Sequence, residues 1–264
     1  AVEELDLPEK SVDIIISEWM GYFLLRESML DSLLRARDRI LKPGGCMFPS
    51  QATMFFGIVS CEEERVQKLQ DLDQSMGDWD TFTNETRNLY GVDMSCLDQP
   101  FEKEQRDYYL SSSIWCELNG DQVIGQPAAV KHMDLHTCTI KDALGVDPAP
   151  FSFTTDTPTK VSGFAGWFDT DFAGSEENPA TEVVTLSTAP AIGYTHWGQQ
   201  VFFLEDAIDL EPEDVITGTM EMTRQKVRED REGSERLYDV IVKFRVKRKE
   251  GGPSPLVTIV YEMP

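Results

Sequence analysis

The stretch Val12-Asp13-Ile14-Ile15-Ile16-Ser17-Glu18-Trp19-Met20-Gly21-Tyr22-Phe23-Leu24-Leu25-Arg26-Glu27-Ser28-Met29-Leu30 decides the fold. Its first five residues are a short β-branched run, suited to a buried parallel strand. Downstream, Met29-Leu30, Leu33-Leu34 and Ile40-Leu41 recur at helical spacing, with Arg35, Arg37, Asp38 and Arg39 between them. Pro43-Gly44-Gly45 is expected to stop that helix. Strand, loop and helix in this order make half of an α/β unit in an open doubly wound sheet. In such sheets ligands sit beyond the carboxyl ends of the strands, so chemistry is expected in the loop that follows Ile16.

That loop carries two carboxylates, Glu18 and Glu27, nine residues apart. On a straight helix nine residues turn through ~900°, which would put the two on opposite sides. They converge only if the chain folds back between them, and Gly21 permits such a turn. A convergent pair suits glycoside hydrolysis. It also suits a divalent metal, although no third ligand is nearby in sequence. A third use is to grip a guanidinium, whose planar fork of donors takes paired hydrogen bonds from carboxylates. Two ordinary solvated loop glutamates fit the same residues.

After Pro49 the texture turns to β. Thr53–Val59 is an apolar strand candidate, and Tyr238, Val240, Val242, Phe244 and Val246 alternate with Asp239, Ile241, Lys243, Arg245 and Lys247 at a period of two. Val161–Phe172, Gln199–Leu204, Thr217–Met222 and Val257–Glu262 are further strand candidates, so a sandwich or barrel is expected. Between the first two β segments, Val66–Cys96 mixes helical spacing with Trp79, Phe82, Leu89, Tyr90 and Met94, and reads as an excursion from the barrel.

The composition narrows the function. The chain has 264 residues with 47 acidic against 24 basic side chains, a net charge of −23. Nucleic acid and anionic membrane both need positive charge, so neither is expected as a direct partner; a cationic partner fits. Twelve carboxylates and no Lys or Arg lie between Lys160 and Arg224. No stretch approaches the ~18 apolar residues of a membrane span. The five cysteines are widely spaced with no C-x-x-C pair, which points to buried small hydrophobes in a reducing compartment, cytoplasmic and/or nuclear. His132 and His136 stand four apart, in a stretch read as one strand with Val130 and Asp134 on the same face; without further ligands no metal is expected there.

Three motifs now converge on one family. Ser17–Leu30 resembles the double-glutamate loop of protein arginine methyltransferases. Tyr194-Thr195-His196-Trp197, followed by Gln199 to Glu205, is similar to that family's threonine-histidine-tryptophan loop. Leu89-Tyr90-Gly91-Val92-Asp93-Met94-Ser95-Cys96 resembles the end of its dimerisation arm. The motifs stand in the family's order over Ala1 to about Asp206, and the remainder matches by strand pattern. Leu41-Lys42-Pro43-Gly44-Gly45 also suits the wider class of S-adenosylmethionine-dependent methyltransferases.

The resemblance implies a fold of α/β plus β: the C-terminal part of a Rossmann-like methyltransferase domain over residues 1–49, then a β-barrel domain over 50–264 with a dimerisation arm at 66–96. It implies that Glu18 and Glu27 clamp the substrate guanidinium and that Tyr22 and Trp197 line the slot for the arginine stem. His196 closes the site from the barrel side. Met29 sits near the reacting centre and the cofactor, as in type I enzymes, and Glu3 holds the adenine amine. The implied cofactor is S-adenosyl-L-methionine. The implied substrates are arginine/glycine-rich proteins, histones among them, and the implied assembly is a homodimer through the arm. The alternative is a non-catalytic module that binds arginine-rich segments or a partner methyltransferase. The family's glycine-rich turn, ribose-holding acid and N-terminal helix are not found among these residues. The chain as written is therefore expected to bind the cofactor weakly, with Val12–Ile16 as an open sheet edge that leaves the Glu18 loop poorly supported.

Overall fold

The computed structural model describes residue 4, residues 6–227 and residues 233–263; Glu3 lies outside them. The opening unit is a strand β1 (Val12–Ile16), a helix α1 (Leu30–Ile40) and a parallel partner strand β2 (Leu41–Phe48). Helix α1 buries Leu30, Leu33, Leu34 and Ile40 on one face, as the apolar spacing requires. Asp31 stands in its first turn and Arg37 and Arg39 in its last, the order that suits the helix dipole.

Pro43-Gly44-Gly45 does not stop the helix, which passes into β2 at Leu41 with no loop between. The three residues lie inside β2, where pairing jumps from Val12↔Leu41 to Ile14↔Cys46. They form an irregularity that absorbs the extra length. A side chain on Gly45 would stand 2.9 Å from the Asp13 carbonyl oxygen, so only glycine lets the two strands stay together there. On β1, Ile14 and Ile16 are exposed.

The rest of the chain is mainly β, with a helical excursion. Strand β3 (Gln51–Val59) leads into helix α2 (Glu62–Tyr90), which ends at Gly91 in the left-handed conformation, φ 69°. Helix α3 (Asp98–Leu110) returns beside it. Trp79 stacks on Phe101 with ring centres 4.3 Å apart, and its indole N–H donates to Asp98 at 2.8 Å. The chain then runs through β4 (Ile114–Cys116), β5 (Val123–Asp134), β6 (Gly145–Thr154), β7 (Thr159–Gly174) and β8 (Pro179–Ser187). It closes with β9 (Gln199–Leu210), β10 (Val215–Arg224), β11 (Tyr238–Lys247) and β12 (Val257–Met263).

Among the described residues β3, β4, β5, β7 and β9 form one antiparallel sheet in the order β4-β9-β7-β3-β5, with β8 beside β7, and a second sheet runs β12-β11-β10-β6. They face each other as an open barrel. Phe56 packs on Phe151 and Phe164, Phe164 on Phe244, and Phe202 on Tyr261. One seam is stitched by Ser113 N–H to the Glu262 carbonyl at 2.9 Å, and Tyr261 donates its hydroxyl proton to the Phe203 carbonyl at 3.0 Å. The β11 alternation holds as expected: Tyr238, Val240, Val242, Phe244 and Val246 are buried.

Two further expectations are corrected. His132 and His136 do not share a strand: β5 ends at Asp134. Register shifts between Met54 and Phe55 of the partner strand turn His132 to solvent while Val130 is buried. His132 instead meets the Thr53 hydroxyl at 3.0 Å, and Nε2 of His136 accepts the Met47 N–H at 3.2 Å. Cys96 is exposed and Cys116 half-buried, whereas Cys46, Cys61 and Cys138 are buried; burial pushes the Cys61 thiol up to about 12.

Candidate active site

The double-carboxylate loop leaves the end of β1, where Ser17 N–H still bonds to the Phe48 carbonyl at 3.1 Å. It folds back on itself at once. Gly21 N–H donates to the Leu24 carbonyl at 2.9 Å and Arg26 N–H to the Tyr22 carbonyl at 3.3 Å. A Cβ on Gly21 would lie 1.6 Å from the Arg26 carbonyl oxygen. Gly21 and Arg26 are therefore drawn close against each other. Gly21 is needed for this close approach and not for its own torsion. The left-handed torsions fall on Phe23 (φ 46°), Leu24 (φ 67°), Glu27 (φ 82°) and Ser28 (φ 58°). Each such residue costs about 1–2 kcal/mol, so its surroundings must hold it there.

Three anchors from the barrel do so. Phe23, Leu24 and Leu25 are buried, and the Phe23 ring fills the space that a side chain on Gly166 of β7 would take, 2.4 Å from that position. The second anchor is Trp197, which is buried, meets Phe168 edge-on at 5.7 Å and donates its indole N–H to the Met20 carbonyl at 2.8 Å. The third is the turn before β11. Glu27 N–H donates to the Arg236 carbonyl at 3.2 Å, and Arg236 Nε donates to the Glu27 carbonyl at 2.8 Å. Next to it, Arg224 forks onto both oxygens of Asp31 at 2.8 Å and gives Nε to the Tyr238 hydroxyl at 3.0 Å. That hydroxyl donates to the Ala143 carbonyl at 2.8 Å; burial, the largest influence, raises its pKa. The loop is thus held by contacts from the barrel.

Each expected site residue can now be placed. Glu18 is exposed, and among the described residues no hydrogen bond or ion pair holds its carboxylate. Glu27 is half-buried, with Oε2 at 3.9 Å from the Arg236 guanidinium. Tyr22 is half-buried with Arg26 over its ring at 5.7 Å. Met29 is half-buried at the head of α1 and packs against the main core. His196 is exposed, its ring centre 3.8 Å from that of Trp197. Glu18, Tyr22, Glu27 and Met29 share one loop, and the Trp197 bond brings the 194–197 segment to it from across the sequence. Arg224, Arg236 and Tyr238 were not anticipated. The alternation of β11 marks Tyr238 as inward-facing, but nothing local marks Arg236 as touching the loop or Arg224 as bonding to α1.

Residues 52–249 match the family model described as the arginine methyltransferase oligomerization subdomain. The chain is 42% identical over 254 residues to the protein arginine N-methyltransferase PRMT10 of Arabidopsis thaliana, covering 96% of this chain and 64% of that protein. It therefore spans slightly less than two thirds of the length of that curated relative. A crystal structure described as a uniquely open conformation of Arabidopsis thaliana protein arginine methyltransferase 10 superposes with a TM-score of 0.91 at 39% identity, covering 100% of this chain and 73% of that one. The Trypanosoma brucei PRMT1 enzyme–prozyme heterotetrameric complex with AdoHcy gives 0.73 at 26% identity, covering 100% and 71%.

Proposed function

Since this chain belongs to the protein arginine N-methyltransferase family, we propose that the protein transfers methyl groups to guanidino nitrogens of arginine, with Glu18 and Glu27 gripping the guanidinium. One observation carries the reading. The loop doubles back at Gly21, so that two carboxylates, one with no hydrogen bond or ion pair among the described residues and one only loosely paired, belong to a single strained turn held by the barrel. A guanidinium spreads its charge over three nitrogens and is a poor nucleophile. Two carboxylates bonded to it hold that charge away from the target nitrogen and fix its angle, combining orientation with electrostatic preorganisation. Glu27 takes the proton released after transfer. Tyr22 and Trp197 flank the arginine stem, and His196 covers the site from the barrel side.

S-adenosyl-L-methionine supplies, when bound, an electrophilic methyl on a sulfonium. Met29, half-buried at the head of α1, would lie near it. Met29 also supports asymmetric dimethylarginine as the final product, after monomethylarginine. The net charge of −23 favours arginine/glycine-rich substrates, histones among them, in the cytoplasm and/or nucleus. Exposed Phe82, Leu89, Tyr90 and Val92 support a homodimer through the 66–96 arm. Likeness to an enzyme–prozyme complex favours one second reading, in which this chain is the non-catalytic partner of another methyltransferase.

The test is mass spectrometry of an Arg-Gly-rich peptide incubated with the full-length protein and S-adenosylmethionine. Addition of one and then two methyl groups, with loss of dimethylamine on fragmentation, is the expected result. No transfer by the protein alone, with stimulation of a partner enzyme, would establish the second reading instead.

A further inference from the structure

We propose that Arg236 is a positioning residue for the Glu27 carboxylate. This rests on the reading of Glu27 as half of the guanidinium clamp. Glu27 and Ser28 sit in consecutive left-handed conformations, φ 82° and 58°, which neither side chain favours. The bonds that hold this turn come from a segment 209 residues away in the chain. Arg236 closes a single helical turn, Ser234–Arg236, that opens at left-handed Gly233, φ 76°. It is fixed there by its own N–H to the Gly233 carbonyl at 3.0 Å, and Leu237 N–H bonds to the Ser234 carbonyl at 3.0 Å. Buried Tyr238 follows at once, with its hydroxyl 3.4 Å from the Ser28 hydroxyl. Residues 233–238 thus pack beneath Glu27 through these bonds.

The distances separate two tasks within one side chain. Nε of Arg236 makes a full hydrogen bond to the Glu27 carbonyl, 2.8 Å, matched by Glu27 N–H to the Arg236 carbonyl, 3.2 Å. This reciprocal pair fixes the main chain of Glu27. The terminal nitrogen stands 3.9 Å from Oε2, well beyond the ~2.7–2.9 Å of a charge-assisted hydrogen bond. At that range it attracts the carboxylate and steers it without consuming its lone pairs, which stay available to a substrate guanidinium. Lysine could supply the charge but not both contacts, since it lacks the planar fork.

The experiment compares Arg236→Gln, Arg236→Lys and Glu27→Gln in the full-length protein. It uses steady-state methyl transfer to an Arg-Gly-rich peptide, calorimetric titration of the same peptide, and thermal unfolding. Arg236→Gln is expected to lower kcat ~10-fold or more, because small displacements of a catalytic group are costly, and to weaken peptide binding. Arg236→Lys is expected to recover part of both. A lower KM with kcat unchanged in Arg236→Gln would show Arg236 competing with substrate for the clamp, and would overturn the proposal. So would a change in thermal unfolding alone. If Glu27→Gln loses transfer while Arg236→Gln keeps both transfer and binding, the positioning role fails and the clamp stands. If Glu27→Gln itself binds and turns over like the wild type, the clamp reading fails, and the positioning role with it.

Discussion

At Gly21 the absent side chain is what lets the loop close, since a methyl group there would stand 1.6 Å from a carbonyl oxygen of the same loop. Backbone cannot yield as a flexible side chain can, so Gly21→Ala is expected to open the turn and separate Glu18 from Glu27. Methyl transfer by the full-length protein should fall ~10-fold or more, while the barrel, held by its own strand pairing, stays folded in circular dichroism. An alanine variant with wild-type turnover would show that the fold-back is dispensable. The sequence offered Gly21 as the hinge, and the residue is essential for a different reason than its torsional freedom. The strain sits on Phe23, Leu24, Glu27 and Ser28, residue types that avoid left-handed conformations, so a local pattern gives no sign of it. Arg236 was equally hidden, one arginine in a basic stretch with nothing to show that it touches Glu27.

Among the elements, α2 and α3 behave unlike the rest. Helix α2 buries only Leu72 among its described residues and α3 buries none, yet the pair is held by Trp79 stacked on Phe101. A helix of such length with little burial draws stability from what it docks against. Phe82, Leu89 and Tyr90 remain exposed at 50%, 72% and 76%. Deleting Gly77–Asp93 from the full-length protein is expected to give monomers in analytical ultracentrifugation; dimers that survive the deletion would rule the arm out as the interface. The excursion was legible from its aromatics, but α3 was not, because its polar sequence shows no apolar stripe. Strand β11 was legible from its alternation, and β3, β7, β9, β10 and β12 as runs rich in apolar residues. Strand β4 is three residues long, and β8 lies at an edge with Val183 and Val184 exposed at 57% each. Bulges scramble the alternation of β5. None of these three presents a clean period to read.

Across the whole molecule, the site loop and the barrel share one core. Phe23 meets Phe202 with ring centres 6.1 Å apart, and Phe202 meets Phe56 at 6.1 Å and Tyr261 at 5.4 Å. The loop that leaves the α/β unit is thus packed as part of the β portion, which explains how a strained turn is held rigid. That rigidity gives the two carboxylates their meaning, because a guanidinium clamp works only if it is preorganised. The most direct test is single-turnover methyl transfer to an Arg-Gly-rich peptide by full-length Glu27→Gln, a change that keeps shape and removes charge. The rate is expected to fall ~100-fold or more with thermal unfolding unaltered. A variant that transfers methyl groups at close to the wild-type rate would contradict the clamp.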